Sequence, residues 1–287
     1  MSARVQVVTD STAGLSTHEV LRNPLTVVPL QVVIGGTSYD DGATSADAVA
    51  EALKTFTPVS TSRPAPQTFA DTYAACAADG AEAVVSIHLS GDMSGTFEAA
   101  MIGAKESPIP VRVVDSRSLG MGLGFPVLAA AAAASAGQDA AAVEAAARAT
   151  MKFTSAYFYV DTLEYLRRGG RIGAAAALLG GALSVKPLLR IDDGRVVNLD
   201  RVRTSSRALT RMEDLIVEAA GERRVELCVS HLANPDRAGD LAGRLGERLA
   251  DNLDGRDVWC GELGAVLGAH VGPGMVAVCL APLLEQP

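Results

Sequence analysis

Several features that usually announce chemistry are missing from this 287-residue chain. Its four cysteines, Cys76, Cys228, Cys260 and Cys279, are scattered and form no C-x-x-C pair. That excludes a secreted disulfide framework and points to reduced, mostly buried thiols. The four histidines, His18, His88, His231 and His270, fall in separate segments without an H-E-x-x-H or a cysteine/histidine cluster, so no metal is expected. Neither G-x-x-x-x-G-K-[ST] nor G-x-G-x-x-G occurs, which leaves nucleotide binding without a motif. The longest uncharged stretch, residues 118–138, is broken by Gly120, Gly122, Gly124 and Pro126 and is mostly alanine, too weakly apolar for a membrane span. A strand-like run is reached by Val5 with no apolar region before it, so no signal peptide and a cytoplasmic location are expected.

A basic surplus is missing too. The chain has 25 Lys+Arg against 33 Asp+Glu, a net charge of −8, which argues against general nucleic-acid binding. The balance is uneven. Between Arg167 and Arg211 ten basic residues meet only Asp192, Asp193 and Asp200, so this segment carries +7 and the rest of the chain −15. A basic face on an acidic body is expected.

What is present is the alternation of an α/β protein. Short β-branched runs alternate with alanine-rich helical ones, predicting mostly parallel sheets. The length suits two packed domains, divided at 1–160 and 161–287 without a flexible linker. Strands are expected at residues 5–8, 25–34, 82–88, 111–114, 157–160, 225–231, 256–262 and 275–280, with a hairpin around Asp192-Asp193-Gly194. Ser16 with Glu19 has capping-box spacing.

Three polar loops follow strand ends, where open α/β sheets place ligands. Thr61-Ser62-Arg63-Pro64 puts hydroxyls before a proline-started helix, as helix caps or as ligand donors. Leu89-Ser90-Gly91-Asp92-Met93-Ser94-Gly95-Thr96 has the hydroxyls and glycines of an anion nest at a strand-to-helix turn; plain capping explains it equally well. Gly268-Ala269-His270-Val271-Gly272-Pro273-Gly274 reads as a loop whose histidine either meets a ligand or is simply solvated. A serine-dependent acyl-ester hydrolase using Ser94 and His270 is one alternative, although Gly91 stands one place too early for a G-x-S-x-G elbow. A regulatory binding module without lipid, docking an acidic partner on its basic segment, is another. Arg167-Arg168-Gly169-Gly170-Arg171 forms either a solvated face or an anion surface.

Taken in order, Val8-Thr9-Asp10-Ser11-Thr12, Thr61-Ser62-Arg63-Pro64, Leu89 with Ser94-Gly95-Thr96, Leu166-Arg167-Arg168-Gly169-Gly170-Arg171-Ile172, Arg203-Thr204, and Gly268, His270 and Gly272-Pro273-Gly274 resemble the DegV family, the fatty-acid-binding subunits of bacterial fatty acid kinase. The match spans nearly the whole chain. The resemblance implies two α/β domains with a lipid tunnel between or within them. It also implies a long-chain fatty acid as ligand, no cofactor and no catalytic residue. Thr61, Ser62, Ser94, Gly95, Thr96 and His270 would bind the carboxylate, while Arg171 and Arg203 would lie near the head group or on the docking surface for an ATP-dependent kinase subunit. Such a carrier is not an integral membrane protein, though it leaves room for transient membrane contact. Small residues in 119–134 and 174–183 would line the tunnel or simply pack helix on sheet. Ala65 and Asp92 stand where the family more often has a hydroxyl and a serine or lysine.

Overall fold

The apolar run at the N-terminus forms the middle of a parallel sheet. In the computed structural model, which describes residues 4–178 and 186–283, the order begins β1 (Val5–Asp10), α1 (Thr17–Arg22), β2 (Leu25–Val28), β3 (Gln31–Ile34) and β4 (Thr37–Asp40). Next come α2 (Ala46–Lys54), β5 (Val59–Ser62), α3 (Pro66–Ala78), β6 (Ala83–His88), α4 (Thr96–Gly103), β7 (Val111–Asp115), α5 (Met121–Ser135) and α6 (Ala140–Met151). The order continues with β8 (Ser155–Tyr159), α7 (Glu164–Arg168), β9 (Lys186–Asp192), β10 (Arg195–Val202), α8 (Ser205–Ala220) and β11 (Val225–His231). It closes with α9 (Pro235–Arg248), α10 (Ala250–Leu253), β12 (Trp259–Glu262), α11 (Ala265–Val271) and β13 (Val276–Pro282).

The fold is α/β with three sheets. Strands β2-β1-β6-β7 are all parallel. The inner strand β6 is buried along its whole length, as a strand covered on both faces must be. The second sheet, β10-β9-β8-β13-β11-β12, departs from the expected parallel order: only β11 and β12 run parallel, and every other neighbour pair is antiparallel. Tight connections explain part of this, since the Asp193-Gly194 turn, with both residues at positive φ, folds β10 straight back on β9. A three-stranded antiparallel sheet, β4-β3-β5, is the third.

Three local expectations change. Residues 25–34 are two strands in two sheets, because Pro29 supplies no N–H to continue a ladder. Residues 59–62 are a strand, and the cap of α3 is Ala65 without a side-chain bond, so the Thr61 and Ser62 hydroxyls cap nothing. His270 lies in the last turn of helix α11, whose Gly268 packs against Leu232, rather than in a glycine loop. Other local readings hold: Ser16 and Glu19 form the capping box, and β11 spans the expected residues.

Helix α11 reaches into the core beneath the first sheet. Its Ala265, Val266 and Ala269 share a cluster with Val7, Leu30, Val32 and Val85. Its Leu267 joins a neighbouring cluster with Ala46, Phe158 and Met275. One short helix from the end of the chain therefore packs against elements from both ends of the sequence.

Candidate functional site

A mostly apolar cavity of about 870 Å³, counting its mouth, lies where these elements meet. One wall is the face of the second sheet. Alternation and register put Ser230, Ala277 and Phe158 side by side on β11, β13 and β8, with Cys279 and Ala156 two residues further along. Four of these five side chains are small, which leaves room beside the sheet. Leu119, Gly120 and Met121 at the start of α5 line it as well, as do Leu89 and Met93.

One group of polar side chains lines this cavity together: Thr61, Ser94, Arg171 and His270. Strand β5 alternates between half-buried and exposed positions, so Thr61 turns inward while Ser62 stays exposed, its hydroxyl donating to the Arg63 carbonyl at 3.3 Å. Residues Val266 and His270, one turn apart on α11, both face the cavity. Thr61 Oγ1 and His270 Nε2 are hydrogen-bonded at 2.9 Å, joining β5 to α11. The other ring nitrogen, Nδ1, is buried without a partner and packs against Gly169. Burial, helped by the nearby Arg171 charge, pushes the imidazole down to about 4, so it is neutral at pH 7. Arg171 is exposed and crosses the mouth, its Nε donating to the Met93 carbonyl at 3.1 Å.

The remaining sequence candidates fall outside the cavity lining. Gly95 is the N-cap of α4, and its carbonyl accepts from Arg63 Nη1 at 3.1 Å. Thr96 is fully buried and shares a 2.9 Å hydrogen bond with Ser94 Oγ. Arg203 is exposed just beyond β10. The Ser94 hydroxyl thus engages Thr96 and His270 engages Thr61, so the pair a serine hydrolase needs is not hydrogen-bonded. Among the described residues of the small-residue stretches, only 119–121 line the cavity. Within 174–183 Ala175 is core, and residues 179–183 lie outside those described.

Two parts of this architecture were not foreseen. The small residues on β8, β11 and β13 could have been found as a period-two pattern, Ala277 and Cys279 above all. The second is a fully buried polar chain. Asp10 accepts from His88 Nδ1 at 2.9 Å and from the Leu89 N–H at 3.0 Å, while His88 Nε2 meets Ser86 Oγ at 2.7 Å and Ser86 meets Tyr73 OH at 2.9 Å. It fixes the exit of β6 into the loop that carries Ser94. No local sequence pattern pairs residues 78 positions apart.

An α/β chain folded around a mostly apolar cavity with polar side chains gathered at one end has the layout of a small-molecule site. The match to the family model described as "Uncharacterised protein, DegV family" covers residues 4–283, and the chain belongs to the DegV family. A DegV domain-containing protein of Streptomyces coelicolor is 49% identical over 282 residues, 98% of this chain and 99% of that one. One from Mycobacterium tuberculosis is 39% identical, covering 96% of each chain. Among solved structures, a DegV family protein from Thermus thermophilus described by its fatty acid binding is 32% identical with a TM-score of 0.88, covering 98% of this chain and all of that one. DegV from Bacillus subtilis, described as a fatty acid binding protein, is 29% identical with a TM-score of 0.89 and the same coverage. No helix among the described residues is long and apolar enough to cross a membrane.

Proposed function

We propose that this protein binds a long-chain fatty acid in the cavity and presents its carboxylate at the polar end to a separate ATP-dependent kinase subunit, which forms the acyl phosphate. The observation that carries the reading is the convergence of Thr61, Ser94, Arg171 and His270 on one end of a mostly apolar cavity. Fatty acid binding by the Thermus and Bacillus relatives supports it.

The energetics suit such a ligand. Burying a sixteen-carbon chain at about 0.8 kcal/mol per methylene contributes on the order of 10 kcal/mol before ordering costs. An unpaired buried carboxylate would cancel that gain. The Thr61 and Ser94 hydroxyls and the His270 ring offer hydrogen bonds, and Arg171 offers the countercharge. The chain would run from this end toward Ala156, Cys279 and Met121. Arg203, exposed and away from the cavity, is assigned to partner docking.

Palmitate titration of the purified protein, with native mass spectrometry for co-purified lipid, tests the binding half. The reading expects one fatty acid per chain and clearly weaker binding by Ser94→Ala. Undiminished binding by that variant contradicts the site, and absence of any lipid adduct contradicts the ligand. Acyl-ester turnover by the isolated protein would favour the hydrolase alternative instead.

A further inference from the structure

We propose that Asp41 is the positioning residue for His270: from the loop after β4 its carboxylate holds the start of α11 and thereby the imidazole at the polar end of the cavity. The inference rests on the fatty-acid reading for its ligand, and on geometry for the rest.

Helix α11 starts at Gly264, which has no side chain to take the free N–H groups of the first turn. That role falls to Asp41, 225 positions before Val266. The Val266 N–H donates to Asp41 Oδ1 at 3.2 Å. The Asp41 backbone N–H donates to the Leu30 carbonyl at 2.7 Å, and the Leu30 N–H donates to Ser11 Oγ at 3.0 Å. Leu30 lines the cavity, so one residue ties α11 to the cavity wall.

The orientation of His270 needs such a device. A functional histidine ring is usually aimed by a hydrogen bond on its second nitrogen. Here Nδ1 has none, so the ring is set by Thr61, by packing against Gly169 and by the placement of α11 itself. Residue 266, whose N–H Asp41 holds, lies four positions before His270 on the same face, and α11 has only seven residues. A shift of the first turn is therefore a shift of the imidazole. Asp41 Oδ2 remains buried without a partner, a folding cost that a purely structural cap does not require.

The test uses the full-length chain with Asp41→Ala and with Asp41→Ala combined with Gly264→Ser. A β-carbon at Gly264 would have the Asp41 carboxylate as its nearest neighbour, at an ordinary 3.5 Å, and its φ of −61° suits serine, so the second change restores a cap locally. Imidazole 15N and 1H resonances are recorded without ligand, and palmitate affinity by titration. D41A is expected to move the His270 resonances but not those of His88, and to weaken palmitate binding about tenfold. Adding G264S is expected to return both most of the way. Unmoved His270 resonances in D41A overturn the inference, even if affinity falls, and so does failure of G264S to restore them. Should D41A alone not fold, the double variant with displaced His270 resonances likewise overturns it. A wild-type protein that takes up no palmitate contradicts the fatty-acid reading, and the ligand-free resonances then decide the Asp41 assignment alone.

Discussion

His270 is pulled two ways, by burial that disfavours its charged form and by a ligand end that is proposed to receive an anion. Its pKa of about 4 lies below the ordinary 6.5, so the unfolded chain binds the extra proton in that window. The stability contributed by keeping the ring neutral is thus complete above pH 6.5 and is lost as pH falls toward 4, by up to about 3 kcal/mol. Thermal melts from pH 7.5 to 4.5 should show this slope, and His270→Gln should flatten it; equal slopes contradict the assignment. In binding, His270→Ala should weaken palmitate at least about tenfold by calorimetry, because the carboxylate loses a partner at the polar end. Asp10 plays the opposite part, structural rather than ligand-facing. Asp10→Ala strands His88 and two backbone N–H groups in the core. Urea unfolding should report a loss of about 3 kcal/mol or more.

At the level of elements, Gly103 marks a close helix-to-helix contact. A β-carbon there would stand 2.6 Å from the Pro66 carbonyl and 2.7 Å from Phe69 Cβ, so α3 and α4 can approach this closely only with glycine. Gly103→Ala should cost about 1–3 kcal/mol in urea unfolding, and a neutral result would contradict the packing described. The sequence made some elements readable and hid others, for physical reasons. Strand β11 was legible because its apolar pattern is local. Strand β5 was not, since Val59-Ser60-Thr61-Ser62 has one apolar residue and owes its conformation to pairing with β3. Helix α11 was misread because Gly268 and Gly272 resemble loop punctuation; burial against Leu232 and the first core decides the matter, and no local window contains that information. Within the site, Thr61, Ser94, Arg171 and His270 were legible as residues. Their convergence was implied only by the family resemblance, because it depends on register and on a helix that crosses between the sheets.

Across the whole molecule, the segment from Arg167 to Arg211 does not form one unbroken basic face. Six of its ten cations are ion-paired: Arg167 and Arg168 with Glu164, Lys186 with Asp161, Arg190 with Asp192, Arg195 with Asp92 and Arg211 with Asp200. Arg171, Arg201, Arg203 and Arg207 have no ion pair among the described residues. The less usual Asp92 belongs to this pattern, since it also meets Arg117 and so fastens the Ser94 loop to the β9–β10 hairpin. Under the proposed function, the cations without an ion pair would be the docking points for an acidic partner. Arg203→Glu should therefore abolish acyl-phosphate formation in a reconstituted kinase assay while leaving palmitate binding unchanged; loss of both, or of neither, contradicts that division. The central claim concerns where the ligand lies, and a crystal structure of the palmitate complex tests it most directly. The account predicts an acyl chain along the face bearing Ala156, Ala277 and Cys279, with its carboxylate within hydrogen-bond distance of Thr61 Oγ1 and His270 Nε2. A chain lying outside this cavity, or one whose carboxylate sits at the Cys279 end, would contradict it.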